Sequence, residues 1–151
     1  MKNCIVHYTR CFIQIVVFMA FAFGAVAQTT TSGSARVQAI RSVYDGDTFR
    51  ADVVGIDWPD PKGAPIRIAR IDAPEIKGSC ASEIKRAIAA RDEARVLLGR
   101  ARRVELTNLK YGYYGRIIAD VWIDGVSLGD ELIRRDHARV YNSGPRLSWC
   151  R

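Results

Sequence analysis

Two acidic motifs and two arginines in this chain have the chemistry to act on a phosphate. Asp45 and Asp47 flank a glycine in "DGDT", and Asp72 and Glu75 stand in "RIDAPE". Asp-Gly pairs close many hairpins, so Asp45 reads as the turn residue. Asp47 opens one apolar strand and Asp72 follows the end of another. If those strand ends meet, two carboxylates converge, and converging like charges need a proton or a cation. Carboxylate oxygens suit Ca²⁺ or Mg²⁺ better than zinc. Zinc has little to draw on, because His137 is the sole histidine after the N-terminal segment and reads as a surface helix residue. On the basic side, Arg67 precedes Asp72 on a strand and Arg116 follows "YGYYG". An isolated strand arginine is usually an ion-pair partner. Two arginines aimed at a metal-bearing carboxylate cluster form a phosphate clamp that offsets charge in the transition state. Glu75 is then the spare carboxylate, free to orient or deprotonate water. Arg70 has no place in that chemistry and is expected to pair with a neighbouring acid.

These residues need a frame. "ARVQAIRSVY" and "TFRADVVGI" alternate enough to form a hairpin about "DGD". A proline-rich loop, "DWPDPKGAP", leads to a third strand, Ile66 to Ile71. On it Ile66, Ile68 and Arg70 are expected to share one face, because the strand period is two. Ser82 is placed to cap the helix "EIKRAIAARDEARVLLGRA", whose apolar stripe is Ile84, Ala87, Ile88, Ala94, Leu97 and Leu98. "RRVELTNL" and "RIIADVWI" give the fourth and fifth strands, joined through Asp124-Gly125 to a second helix capped by Ser127. Five short strands with a helix between the third and fourth indicate a small closed barrel of the OB type, mainly β with packed α-helices. Such barrels bind oligonucleotides on one face.

The first 27 residues differ from the rest. Lys2 and Arg10 precede the uncharged run Phe12 to Ala27, which ends on Ala25-Val26-Ala27. That is the layout of a secretory signal peptide, and the run is short of the roughly 20 residues a bilayer span needs. Residues 28–34 read as a flexible polar leader and 35–151 as one domain. Cys4 and Cys11 leave with the signal, and an exported chain with two remaining cysteines pairs them, as Cys80–Cys150. The formal charge is +7 for the whole chain, and arginine outnumbers lysine. A basic, arginine-rich domain is compatible with a polyanionic partner.

Four stretches in order, "VYDGDTFRADV", "IRIARIDAPE", "YYGRIIADVWIDG" and "LIRRDHARVY", resemble the staphylococcal nuclease (thermonuclease) family. The resemblance spans Val37 to Tyr141 and implies an OB barrel that hydrolyses DNA and RNA with Ca²⁺ and leaves 3′-phosphate ends. It puts catalytic arginines at Arg67 and Arg116 and the carboxylate base at Glu75. It also puts Ca²⁺ ligands at Asp47, Asp72 and the Ala73 carbonyl, and a tyrosine beside the nucleotide at Tyr114. Calcium in preference to Mg²⁺ rests on this resemblance. After Tyr141 the chain departs from the staphylococcal type: it has "RLSWC" in place of a long helix and so resembles the disulfide-bearing bacterial branch. The expectation is an exported monomer, periplasmic or secreted, with nucleic acid as substrate and no stable membrane association after signal cleavage. The alternative is an OB module of the cell envelope that binds nucleic acid without cutting it.

Overall fold

The computed structural model describes residues 33–150. The expected signal peptide, and all but the last two residues of the expected leader, lie outside the described residues. Strand β1 (Ala35–Val43) turns back into β2 (Thr48–Val54), followed by β3 (Ala64–Ile68) and the short β4 (Ile71–Asp72). Helix α1 (Ala81–Arg100) leads to β5 (Val104–Tyr111), β6 (Ile117–Ile123), β7 (Val126–Ser127), α2 (Leu128–Arg134) and β8 (Arg139–Val140). Period-two burial explains the strands. Phe49, Ala51 and Val53 of β2 point inward, as do Ile117, Ala119, Val121 and Ile123 of β6.

The five longer strands pair in the order β3-β2-β1-β5-β6, and β3 then pairs with β6 in parallel to close the barrel. In that seam Ile66 faces Ile117, Arg67 faces Ile118 and Ile68 faces Ala119. The core fills with Phe49, Ile66, Leu106 and Ile117, and α2 adds Leu128 and Leu132. Ser127 caps α2 by accepting from the Asp130 amide at 3.2 Å, as the sequence indicates. Among the described residues no helix is long and apolar enough to cross a membrane.

Helix α1 differs from the expectation in two respects. Its N-cap is Cys80, whose side chain caps nothing, and Ser82 lies inside the first turn. Its buried edge is Glu83, Ala87, Ala90, Ala94 and Leu98, while Ile84 and Ile88 are exposed. Alanines permit the close approach that isoleucines would block. Ala90 lies so near Gly46 that a Cβ there would stand 2.8 Å from the Ala90 Cβ and 2.9 Å from that of Ala73. Gly46 therefore lets the "DGD" turn sit against both the helix and the "DAPE" segment. The third strand also ends earlier than expected, at Ile68, because Arg70 takes a left-handed turn with φ 62°.

Candidate active site

The β1–β2 turn and the chain after β3 are joined at Asp47. Its backbone carbonyl accepts from the Ile68 amide at 2.8 Å, and its Oδ2 accepts from the Ala73 amide at 2.9 Å. The two strand ends thus meet, which brings the "DGD" and "DAPE" motifs together. Arg67 reaches into the junction. Its Nη1 stands 2.6 Å from Asp47 Oδ2, and its Nη2 donates to the Ile71 carbonyl at 3.0 Å. Asp47 and Arg67 are both buried. Burial raises the Asp47 pKa, outweighing the nearby Arg67 charge and the bonds from Ala73 and Thr48, and the Glu75 charge raises it further. Asp45 is more than a turn residue. It is buried, its Oδ1 accepts from the Asp47 amide at 3.1 Å, and burial, with the Asp47 charge adding, pushes its pKa up to about 7.

Asp72 is 1% exposed and carries a crowded oxygen and an open one. Oδ2 accepts from Arg139 Nε at 3.0 Å, Arg139 Nη2 at 2.7 Å and the Trp149 indole at 3.0 Å. The β4–β8 pairing sets Arg139 opposite Asp72. Oδ1 is buried without a hydrogen bond, although Arg146 Nε stands 3.3 Å away. Buried acceptors are rarely left so. An orphaned carboxylate oxygen at Asp72, one residue before the Ala73 amide that Asp47 holds, is the kind of oxygen donor that fits a hard cation. Glu75 lies on the loop that follows. Its amide is 3.4 Å from Glu83 Oε1, and Glu83 Oε2 accepts from the Ser79 amide at 2.9 Å, so a buried glutamate of α1 holds this loop.

Arg116 and Tyr114 stand apart from this group. Arg116 Nε donates to the Tyr113 carbonyl at 3.3 Å, and no acidic partner for it occurs among the described residues. It lines a pocket of about 440 Å³ with Tyr114, Tyr44 and Thr48, the neighbour of Asp47. Tyr114 is 95% exposed, on a left-handed turn with φ 61°. Arg70, expected to pair with an acid, bonds Asp120 Oδ1 through Nε at 3.1 Å. Cys80 and Cys150 are bonded, with Cα atoms 5.9 Å apart. The tight group Cys80, Glu83 and Cys150 has its ligand atoms within 4.8 Å, but two of the three are disulfide sulfurs, so it offers a cation one carboxylate.

A family model described as "Staphylococcal nuclease homologue" matches residues 65–148, more than half of the chain. The chain belongs to the staphylococcal nuclease family. The closed five-stranded barrel with two helices is the OB architecture expected of that family. The match takes in Arg67, Asp72, Glu75, Tyr114 and Arg116, while Asp45 and Asp47 precede it and are brought to it by the fold. No curated protein matches the chain.

Sequence reasoning missed five residues around the site: the buried Asp45, Glu83 under the Glu75 loop, and Arg139, Arg146 and Trp149 on the carboxylates. The arginines and the tryptophan carry no local signal, because their partners lie about seventy positions away and only folding joins them. Glu83 offered one: a carboxylate on the same helical edge as Ala87, Ala90, Ala94 and Leu98 is expected to be buried and bonded.

Proposed function

We propose that this domain is a Ca²⁺-dependent phosphodiesterase that cleaves DNA and RNA with little regard to base or sugar and leaves 3′-phosphate ends. The observation that carries this reading is the junction at Asp47, which pairs with the buried Arg67 guanidinium and holds the Ala73 amide, one residue after Asp72 with its orphaned oxygen. Ca²⁺, held by Asp47, Asp72 and the Ala73 carbonyl, would supply positive charge to the phosphate and its attacking water. Glu75 takes a proton from that water as its oxygen adds to phosphorus, the bond from phosphorus to the 5′-oxygen breaks, and the departing 5′-oxygen takes up a proton from solvent. Arg67 and Arg116 bind the phosphoryl oxygens and offset the charge that grows on them. Tyr114 meets the nucleotide in this reading, which its exposure beside Arg116 supports. Contacts to phosphate carry little sequence information, which supports low base specificity. We place the protein outside the cytoplasm, as a monomer without stable membrane association; the Cys80–Cys150 disulfide is consistent with an oxidising compartment.

The test uses the purified protein with its disulfide intact. Denatured DNA and RNA are incubated with Ca²⁺, with Mg²⁺ or with chelator, and the product ends are analysed. Ca²⁺-dependent cleavage leaving 3′-phosphates is the expected result. Binding without metal-dependent products would replace this reading with that of a non-catalytic nucleic-acid-binding module.

A further inference from the structure

After β8 the chain runs without regular secondary structure to Cys150, yet it is pinned at both ends. At the near end the Tyr141 amide donates to the Arg70 carbonyl at 2.8 Å, and the Tyr141 hydroxyl donates to the Gly144 carbonyl at 2.6 Å. At the far end Cys150 is bonded to Cys80 and the Trp149 indole donates to Asp72. Arg139 completes that anchor. Its guanidinium carbon lies 4.2 Å from the Trp149 ring centroid, and it donates to the carbonyls of Leu147 and Ser148.

Arg146 stands between the anchors. Its Nη1 is 2.5 Å from Glu75 Oε1 and its Nε is 3.3 Å from Asp72 Oδ1, the oxygen that has no hydrogen bond. It also lines a cavity of about 730 Å³ with Arg67, Lys110 and Tyr141. Arg139 is fully engaged by Asp72 and the tail carbonyls, and Arg134 and Arg135 pair with acids on or beside α2. Arg146 alone among these four is half exposed on the carboxylates assigned to the reaction.

We propose that Arg146 is a third phosphate-binding arginine, parked on Asp72 and Glu75 in the free protein and transferred to the substrate phosphodiester when a cation claims Asp72. The inference rests on the nuclease reading above. A cation at Asp72 takes the partner of Arg146 and sets a like charge beside it, so the guanidinium must pair again. The pinned backbone keeps it within side-chain reach of the site. The anion that arrives there is a phosphate, and a guanidinium fork matches two phosphate oxygens. The tail thus supplies a contact that the barrel and helices do not.

The experiment measures binding of a short single-stranded phosphorothioate DNA in Ca²⁺ across a salt series, with the oligonucleotide shown to stay uncut. Parent, Arg146→Ala and Arg146→Lys proteins are compared after thermal melts show that all are folded. Arg146→Ala is expected to bind roughly tenfold more weakly, the effect of one lost charge-assisted contact. Its salt slope is expected to be shallower by about 0.7, the value for one single-strand phosphate. Arg146→Lys retains the slope and recovers part of the affinity. An Arg146→Ala protein with unchanged slope and tighter Ca²⁺ binding would make the residue an inhibitory plug and overturn the proposal. A parent that cuts phosphodiester DNA while its Arg146→Ala variant keeps affinity and slope refutes this inference alone. A parent that neither binds nor cuts refutes the nuclease reading as well.

Discussion

Arg67→Ala is expected to weaken the fold as well as the chemistry, by an amount that the junction sets. The substitution removes a buried ion pair of 2.6 Å to Asp47 and the bonds to the carbonyls of Ile68 and Ile71. Breaking one side of a buried pair costs about 3–5 kcal/mol, because the remaining charge stays buried and uncompensated. Asp47 would keep only its bonds from Thr48 and Ala73. Burial already raises its pKa, so loss of Arg67 raises it further. A carboxylate with a raised folded pKa destabilises the fold at high pH, and that penalty shrinks as pH falls toward the unfolded value. The loss in Arg67→Ala should therefore be smaller at pH 5 than at pH 7. The assay is urea unfolding in chelator of the parent, Arg67→Ala, Asp47→Asn and the double variant. The double variant loses hydrogen bonds but no longer buries a lone charge, so its cost should fall to about 1–3 kcal/mol. Asp47→Asn likewise strands the Arg67 charge at about 3–5 kcal/mol, so the coupling energy is then at least about 3 kcal/mol, at the upper end for residues in contact. Single costs that add, with coupling below about 0.5 kcal/mol, would refute the argument that this pair is buried and mutually dependent. Ca²⁺ should restore stability to Arg67→Ala by replacing the missing positive charge at Asp47.

Arg116→Ala should leave urea stability within about 0.5 kcal/mol of the parent, since its one bond goes to an exposed-loop carbonyl. The same variant should lose about 10²–10³ in turnover, measured on denatured DNA at saturating Ca²⁺. Cys150→Ser opens a loop of 70 residues and should cost about 4 kcal/mol in urea unfolding, on the chain-entropy account. With Asp45 pushed up to about 7 in the fold, the metal-free protein binds a proton there that the unfolded chain releases at lower pH. Its stability should fall as pH rises from about 4 to about 7, and Asp45→Asn should remove much of that slope in chelator.

The sequence made the barrel legible because alternation is local. Phe49, Ala51 and Val53, or Ile117, Ala119 and Val121, announce an inward face within one strand. The convergence of Asp47 with the "DAPE" segment was readable as a conditional, and the Asp47–Ala73 bond meets the condition. The edge of α1 was misread because hydrophobicity favoured Ile84 and Ile88, whereas the packing distance at Gly46 demanded alanine. Propensity reports what a face is made of, not how near its neighbour stands. The strand after Ile66 read as longer than it is because nothing local marks Arg70 as left-handed. Its turn is held from outside, by the Tyr141 amide and by Asp120. The tail was legible only through its cysteine.

The parallel seam between β3 and β6 also bears on when the protein becomes competent. It joins segments roughly fifty residues apart, so its closure carries a loop-entropy cost that no neighbouring hairpin shares. The β1–β2 and β5–β6 hairpins and α1 can form from contacts close in sequence, while the seam must wait for both sides. Arg67 faces Thr48 across the local β2–β3 pairing and Ile118 across the seam, so the seam completes its setting. A chain that has formed only its local β1–β2–β3 and β5–β6 pairings would still lack both the seam and the β4–β8 pairing that sets Arg139 on Asp72. Competence would then arise in one late, cooperative step, so that partly folded chains, however helical and stranded, pose little hazard to nucleic acid they meet.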